Sequence, residues 1–504
     1  MSLLSNSHRF DAMLPDASLS HRHPGFDGWG GGFSFPQVQG AIILITISRA
    51  LIRRLRITFS RGLGITARQT GPAIDFQCGQ QGLFIRTQND HIALEYHLPG
   101  EQPDLSFAVP FDFLRRCEGT KDELVTLSLA GESVTAEWTD SGIPQTAQFE
   151  QTVFGDFPSQ PEQMVANPAR LLEALGAAAE VADNDSSRYA LNHLRLRSHD
   201  GQIAASDGRQ LLLQSGFSFP WDDEILIPAN RLLSSSDLRS NAEVQIGRTE
   251  DWTCLRSGPW TVLLMINKKD RFPQVDDVAP SANSVASTML ISDTDAEFIS
   301  KAVKRLPSND DLNHPVTVDL NGAVSIRAQG TDDPQPTEIV LTSSSRDGDA
   351  IKISTNRHFL AQAVQMGFRA VEVHGQETPL VCREPDRTYV WAALDKAGII
   401  AANPDAVRVE SEQATNTPPQ PTRRTHPAMP KTESQPPHNR LPKTETYESE
   451  SSLTPLQVAE ALRDSLKVTL THTRELIASL KKRNKQSRLV ESTLASLKQL
   501  QDVA

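Results

Sequence analysis

Ser187-Arg188-Tyr189-Ala190-Leu191-Asn192 and, after a short alternating stretch, Ala205-Ser206-Asp207-Gly208-Arg209-Gln210-Leu211 are the segments on which the fold turns. Asp207-Gly208 between apolar runs is hairpin chemistry: glycine takes positive φ freely, and an aspartate carboxylate holds the turn. Further on come Leu263-Leu264-Met265-Ile266-Asn267, then Arg271-Phe272-Pro273 and Val278-Ala279-Pro280. Each fragment alone is ordinary. Their weight comes from the plan around them.

That plan repeats. Val109-Pro110 opens a helical stretch at 111–117, alternating strands follow, and the unit closes at Asp156-Phe157-Pro158. Ile227-Pro228 opens another helix at 229–238, strands follow, and the unit closes at Arg271-Phe272-Pro273. The two Pro-to-Pro distances are 48 and 45 residues, offset by 118. A third round runs from Ile351-Lys352-Ile353-Ser354 through a helix at 356–366 to strands ending at Ala393. Each round has its own leading helix, at 49–63, 168–181 and 295–306. So long a period means duplicated domains, not a solenoid. Two helices per set of antiparallel strands gives an α+β class.

The order and spacing of the quoted segments resemble the middle domain of the bacterial sliding-clamp family, the DNA polymerase III beta subunit. That family has an Arg-Tyr-x-Leu-Asn stretch, a Thr-Asp-Gly-His-Arg-Leu turn and an Arg-Phe-Pro segment leading into the last domain. Tyr389-Val390-Trp391 resembles its final strand, and the resemblance covers 41–399, about 70% of the chain. It implies three tandem clamp-type domains, at 41–158, 159–280 and 281–399, assembling as a six-domain dimeric ring. The implied function is a non-catalytic processivity factor that encircles duplex DNA without reading sequence. It would tether a replicative DNA polymerase and be opened by clamp-loader subunits. The implied place is the cytoplasm, at the nucleoid, with no membrane partner. The alternative is a clamp-like paralogue acting as a protein-interaction scaffold that is not loaded on DNA.

Carried over position by position, the family's partner-peptide pocket comprises Leu191, Ser206, Gly208, Leu211, Pro273, Val278, Val390 and Ala392. A small apolar cleft at a domain interface suits a short hydrophobic peptide. Two departures bear on it. The turn reads Ser206-Asp207-Gly208-Arg209-Gln210, and Ala392 stands where the family usually has methionine.

In the family the helices line the hole, which predicts a charge split. Net charge is -12, which alone argues against wrapping a polyanion. The six helical segments, however, sum to +6, leaving -20 for the rest of 41–399. A basic lining attracts phosphates without reading bases. An acidic exterior repels DNA from the wrong face. The implied DNA-facing residues are Arg49, Arg53, Arg54, Arg56, Arg61, Arg115, Arg116, Arg170, Arg231, Arg239, Lys301, Lys304, Arg305 and Arg357.

Other classes find little support. Cys78, Cys117, Cys254 and Cys382 are far apart, without metal-ligand spacing, and read as reduced core thiols. The longest apolar run, 41–47, is too short for a bilayer and reads as a buried first strand. There is no phosphate loop, HExxH, GxSxG or GxGxxG, so no cofactor, metal or catalytic residue is assigned. Residues 1–40 read as a disordered extension, and the Pro-, Thr-, Ser- and Glu-rich 400–452 as a disordered linker. From 453 to 504 an amphipathic pattern predicts a long helix, with Thr454, Pro455 and Gln457 as its start signals. Coiled coil, lone helix and helical hairpin all fit that pattern, and Lys481, Lys482, Arg483, Lys485 and Arg488 make it basic.

Overall fold

A computed structural model describes residues 42–184, 189–239 and 243–411, with 42–44 as backbone only. The expected extension (1–40), most of the linker and the terminal helix lie outside the described residues, as does Arg188 of the opening motif.

One order of elements recurs three times, the third time with one extra strand before its second helix. The first round is β1 (Ile42–Ser48), α1 (Arg49–Leu63), β2 (Ile74–Gly79), β3 (Gly82–Gln88), β4 (Ile92–Leu98), β5 (Leu105–Val109), α2 (Asp112–Cys117), β6 (Leu124–Ala130), β7 (Ser133–Asp140) and β8 (Ile143–Glu150). The second is β9 (Met164–Pro168), α3 (Arg170–Val181), β10 (His193–Arg197), β11 (Gln202–Ser206), β12 (Gln210–Gln214), β13 (Glu224–Pro228), a 3-10 turn (Arg231–Ser234), β14 (Glu243–Arg248), β15 (Trp252–Ser257) and β16 (Trp260–Met265). The third is β17 (Ser287–Leu290), α4 (Asp293–Ala302), β18 (Pro315–Asp319), β19 (Ser325–Ala328), β20 (Thr337–Val340), β21 (Ser345–Gly348), β22 (Lys352–Asn356), α5 (Arg357–Gln365), β23 (Ala370–Val373), β24 (Leu380–Glu384) and β25 (Arg387–Trp391). A last strand, β26 (Val407–Glu410), falls inside the stretch whose composition reads as linker.

The local reasons are plain in α1. The Ser48 side chain accepts from Leu51 N–H at 3.2 Å, and Gly64 at φ 67° closes the other end. Ile52, Leu55 and Phe59 bury one face at helical spacing. Ser292 and Asn356 cap α4 and α5 in the same way. The helix expected at 229–238 is only one 3-10 turn. There the Asn230 side chain takes Leu232 N–H and Ser235 Oγ takes Asp237 N–H, so side chains compete for the donors a helix needs.

Four antiparallel strands of each round form a sheet, and neighbouring rounds fuse their sheets edge to edge. The last strand of the second round, β16, pairs antiparallel with β4, from Trp260↔Tyr96 to Leu264↔Ile92. In the same way β25 pairs with β12, from Gln210↔Trp391 to Gln214↔Arg387. The results are an eight-stranded sheet and a nine-stranded sheet; beside them stand a four-stranded sheet ending on β8 and a five-stranded sheet ending on β26, which pairs with β20. The first joint is aromatic: Trp260 meets Tyr96 at 4.8 Å and Phe59 at 6.0 Å, edge on. All four cysteines are free and buried, and burial pushes the thiols up, Cys78 to about 11 and Cys117 and Cys254 to about 12. They are core side chains held as thiols.

Candidate functional site

The β12·β25 joint builds a cleft. Strand pairing sets Ser206, Leu211, Val390 and Val381 side by side across four strands on one sheet face. All four are buried, and Leu211, Val390 and Val381 form with Ala204, Phe272 and Val275 an apolar cluster separate from the main core. Their sequence neighbours Leu212 and Tyr389 point the other way, into the core beneath the helices. The cleft therefore opens on the sheet face opposite α3.

Its volume is about 260 Å³, and its lining includes Ser206, Gly208, Leu211, Pro273, Val278, Val390 and Ala392. The structure brings these seven expected residues together. The eighth, Leu191, stands at the rim, its Cδ1 3.8 Å from where a Cβ on Gly208 would lie. Arg209, Gln210, Gln274, Val275, Pro379 and Trp391 complete the lining. Sequence reading missed these six. Gln274 and Val275 directly follow Pro273, and Trp391 lies between two expected residues, so chain adjacency was the available signal.

The turn that shapes one wall is held from within. Asp207 Oδ1 accepts from the N–H groups of Arg209 (2.8 Å) and Gln210 (2.9 Å), and Ser206 Oγ accepts from Gly208 N–H (3.0 Å) while donating to Gln210 O (2.7 Å). Gly208 sits at φ 86°, a conformation that favours glycine. Ala392 N–H donates to Arg209 O at 2.9 Å, which ties the turn to the final strand. The walls are thus set before any ligand arrives, and Val278, 45% exposed, stands at the opening.

The basic residues divide into groups. Arg53, Arg61, Arg116, Arg231, Arg239, Lys301, Lys304 and Arg305 are exposed. Arg170 is exposed but pairs with Asp386 at 2.6 Å across the second joint. Half-buried Arg54 pairs with Asp237 (3.3 Å) and lies over the Tyr96 and Trp260 rings. Half-buried Arg56 pairs with Glu118, and Arg115 donates to Gln69 O at 2.7 Å. Arg49 and Arg357 correct the expectation of a DNA-facing role. Arg49 is buried against Glu123 (2.8 Å), Asp140 and the Glu118 carbonyl. Arg357 is 2% exposed, with its guanidinium on the carbonyls of Leu306, Pro307 and His314. Both open helices, where the side chain folds back over the preceding turn and not out along the helical surface.

The helices pack in pairs, α1 with α2, α3 with the 3-10 turn, and α4 with α5. Contacts of Thr58 with Asp237 (3.1 Å) and Arg61 with Ser235 (3.0 Å) carry the layer across the first joint. Among the described residues no His, Cys, Asp and Glu cluster is arranged to hold a metal ion, and no helix is long and apolar enough to cross a membrane.

No protein-family model and no curated protein matches this chain. Solved structures do. A sliding clamp (DNA polymerase III subunit beta) from Pseudomonas aeruginosa bound to griselimycin matches over 70% of this chain and 99% of its own, at 16% identity and a TM-score of 0.59. The beta subunit from Thermotoga maritima matches over 70% and 100%, at 14% identity and a TM-score of 0.56. The beta subunit from Borrelia burgdorferi, in complex with a natural product, matches over 69% and 97%, at 10% identity and a TM-score of 0.59. The fold of this chain is the sliding-clamp fold, reached by a divergent sequence.

Proposed function

We propose that the chain is a DNA sliding clamp, a non-catalytic processivity factor that encircles duplex DNA as a homodimer of three-domain subunits. We read the domains as 41–158, 159–280 and 281–399. The single observation that carries the reading is the repeated joint. Sheets of successive rounds fuse last strand to edge strand, β16 to β4 and β25 to β12, with a helical layer continuing across the first joint. Head-to-tail addition by a constant rule generates a closed ring when the rotation completes a circle. Exposed arginines and lysines on the helices supply phosphate attraction without base reading. A closed ring cannot fall off a long duplex, so each contact can be weak and the ring slides.

The cleft is the seat for the short hydrophobic segment of a polymerase or clamp-loader subunit. It lies on the sheet face away from α3, so partner and DNA do not compete for one surface. Such a protein works in the cytoplasm, at the nucleoid.

A second reading, a clamp-like scaffold never loaded on DNA, draws on Ala392 and the Arg209-Gln210 turn, which give the cleft an altered lining. Retention on DNA separates the two. A clamp loaded by its loader stays on nicked circular DNA through gel filtration and is lost once the circle is cut. A scaffold elutes free in both cases.

A further inference from the structure

The two internal joints share one rule. In each, the fourth strand in spatial order of one round's sheet (β4 in β5-β2-β3-β4, β12 in β13-β10-β11-β12) receives the last strand of the following round (β16, β25), antiparallel; β20 holds that place in β22-β18-β19-β20. Applied once more, the rule leaves two edges for a second copy of the chain: β20, the counterpart of β4 and β12, and β8, the counterpart of β16 and β25. Among the described residues no strand pairs with the outer side of β8, which is built as an edge. Gln151 N–H donates to Glu132 O at 2.9 Å, so strand alternation turns the N–H groups of Thr146 and Gln148 outward, and Pro144 falls in that same outward set. The β20 edge is covered. Strand β26 lies along it in parallel, from Thr337↔Val407 to Val340↔Glu410.

The chain reaches that edge by crossing its own sheet. Ala393 bridges to Thr355 on β22, Ile400 N–H donates to Thr317 Oγ1 on β18 at 2.7 Å, and Val407 N–H donates to Pro336 O beside β20. Ser411 is fully buried beyond the strand, where its Oγ accepts from Thr342 N–H at 3.1 Å. We infer that β26 is an intramolecular occupant of the subunit-closing edge, and that it must leave β20 before β8 of a second copy can pair there. An extra strand retained in the joint would hold the two sheets apart by about 4.8 Å, and helix-layer contacts like that of Arg61 with Ser235 could not form across it. The strand is short and half-exposed, with Val407 56% exposed, which suits an element that is exchanged. The chain thereby also protects an edge that would otherwise invite indiscriminate pairing. This inference rests on the ring reading for the identity of the second occupant.

The test uses the full chain and light scattering across a concentration series. Val407→Pro with Val409→Pro removes two strand N–H groups and should lower the dimer dissociation constant at least tenfold. Thr337→Cys with Val407→Cys, oxidised, should hold the chain monomeric until reductant is added; the four native cysteines are buried and do not interfere. Adding Gln148→Pro to the released variant should abolish its dimer, and circular dichroism checks that β8 is still folded. Equal dimerisation in parent, released and oxidised forms would overturn the inference while leaving the ring intact. A monomer in every form would overturn both.

Discussion

Tyr389 donates its hydroxyl hydrogen to Gln210 Oε1 at 2.5 Å, joining β25 to β12 inside the core. Gln210 in turn donates to Asp207 Oδ2 at 3.0 Å, so one buried amide links the joint to the turn that shapes the cleft. Burial holds the Tyr389 phenol well above its usual pKa, which keeps it a neutral donor. Tyr389→Phe leaves the amide oxygen without that donor and should cost about 1–3 kcal/mol. Urea denaturation reads this directly; an unchanged midpoint would mean the bond adds nothing to the joint.

Arg49 and Arg53 are on one helix and should behave oppositely. Arg53→Ala with Arg116→Ala should reduce the slope of log affinity for duplex DNA against log salt by about two, with stability within about 0.5 kcal/mol of the parent. Arg49→Ala removes charged hydrogen bonds to Glu123 and Asp140 and should destabilise by about 1.5–3 kcal/mol with the salt slope unchanged. Salt titrations by fluorescence anisotropy, paired with thermal melts, separate the two. A reduced slope for Arg49→Ala would return that residue to the DNA interface.

Val278 offers the cleanest probe of the cleft because it stands at the opening, partly in solvent. Val278→Glu should weaken binding of a short hydrophobic peptide at least tenfold and leave the melting curve unchanged. Calorimetric titration of the peptide tests this. Equal affinity in parent and variant would place the peptide elsewhere.

Acid sensitivity follows from Asp276. Its hydrogen bond from Arg197 holds its carboxyl below the usual range; burial opposes this, and Arg195 reinforces it. A depressed folded pKa means the unfolded chain takes up protons first as pH falls. The stabilisation is complete above the ordinary carboxylate range of about 4 and is lost as pH drops through the lower folded value. Asp276→Asn should therefore flatten the acid limb of a plot of Tm against pH between about 2 and 5. An identical limb would show that the pair does not distinguish folded from unfolded chain.

Much of this was legible in the sequence because it is local. The cap at Ser48, the stripe of Ile52, Leu55 and Phe59 and the stop at Gly64 specify α1 within a few residues of one another. The Asp207-Gly208 turn is equally self-contained. Fates decided at a distance were not legible. Arg49 reads like its helical neighbours until Glu123 and Asp140 are brought to it by strands more than 70 residues away. The alternation in Val407-Arg408-Val409-Glu410 is four residues long beside a proline-rich tract, too short to stand out until β20 offers it an edge. Pro379 reaches the cleft only through the pairing of β24 with β25.

The walls of the cleft come from residues 206–211, 273–278 and 379–392. No partial chain owns it. A ribosome must complete β25, and β25 must pair with β12, far upstream in the chain, before the cleft exists. Formation of the cleft is thereby coupled to completeness: a truncated or half-folded chain can keep the basic face of α1 and still lack the cleft.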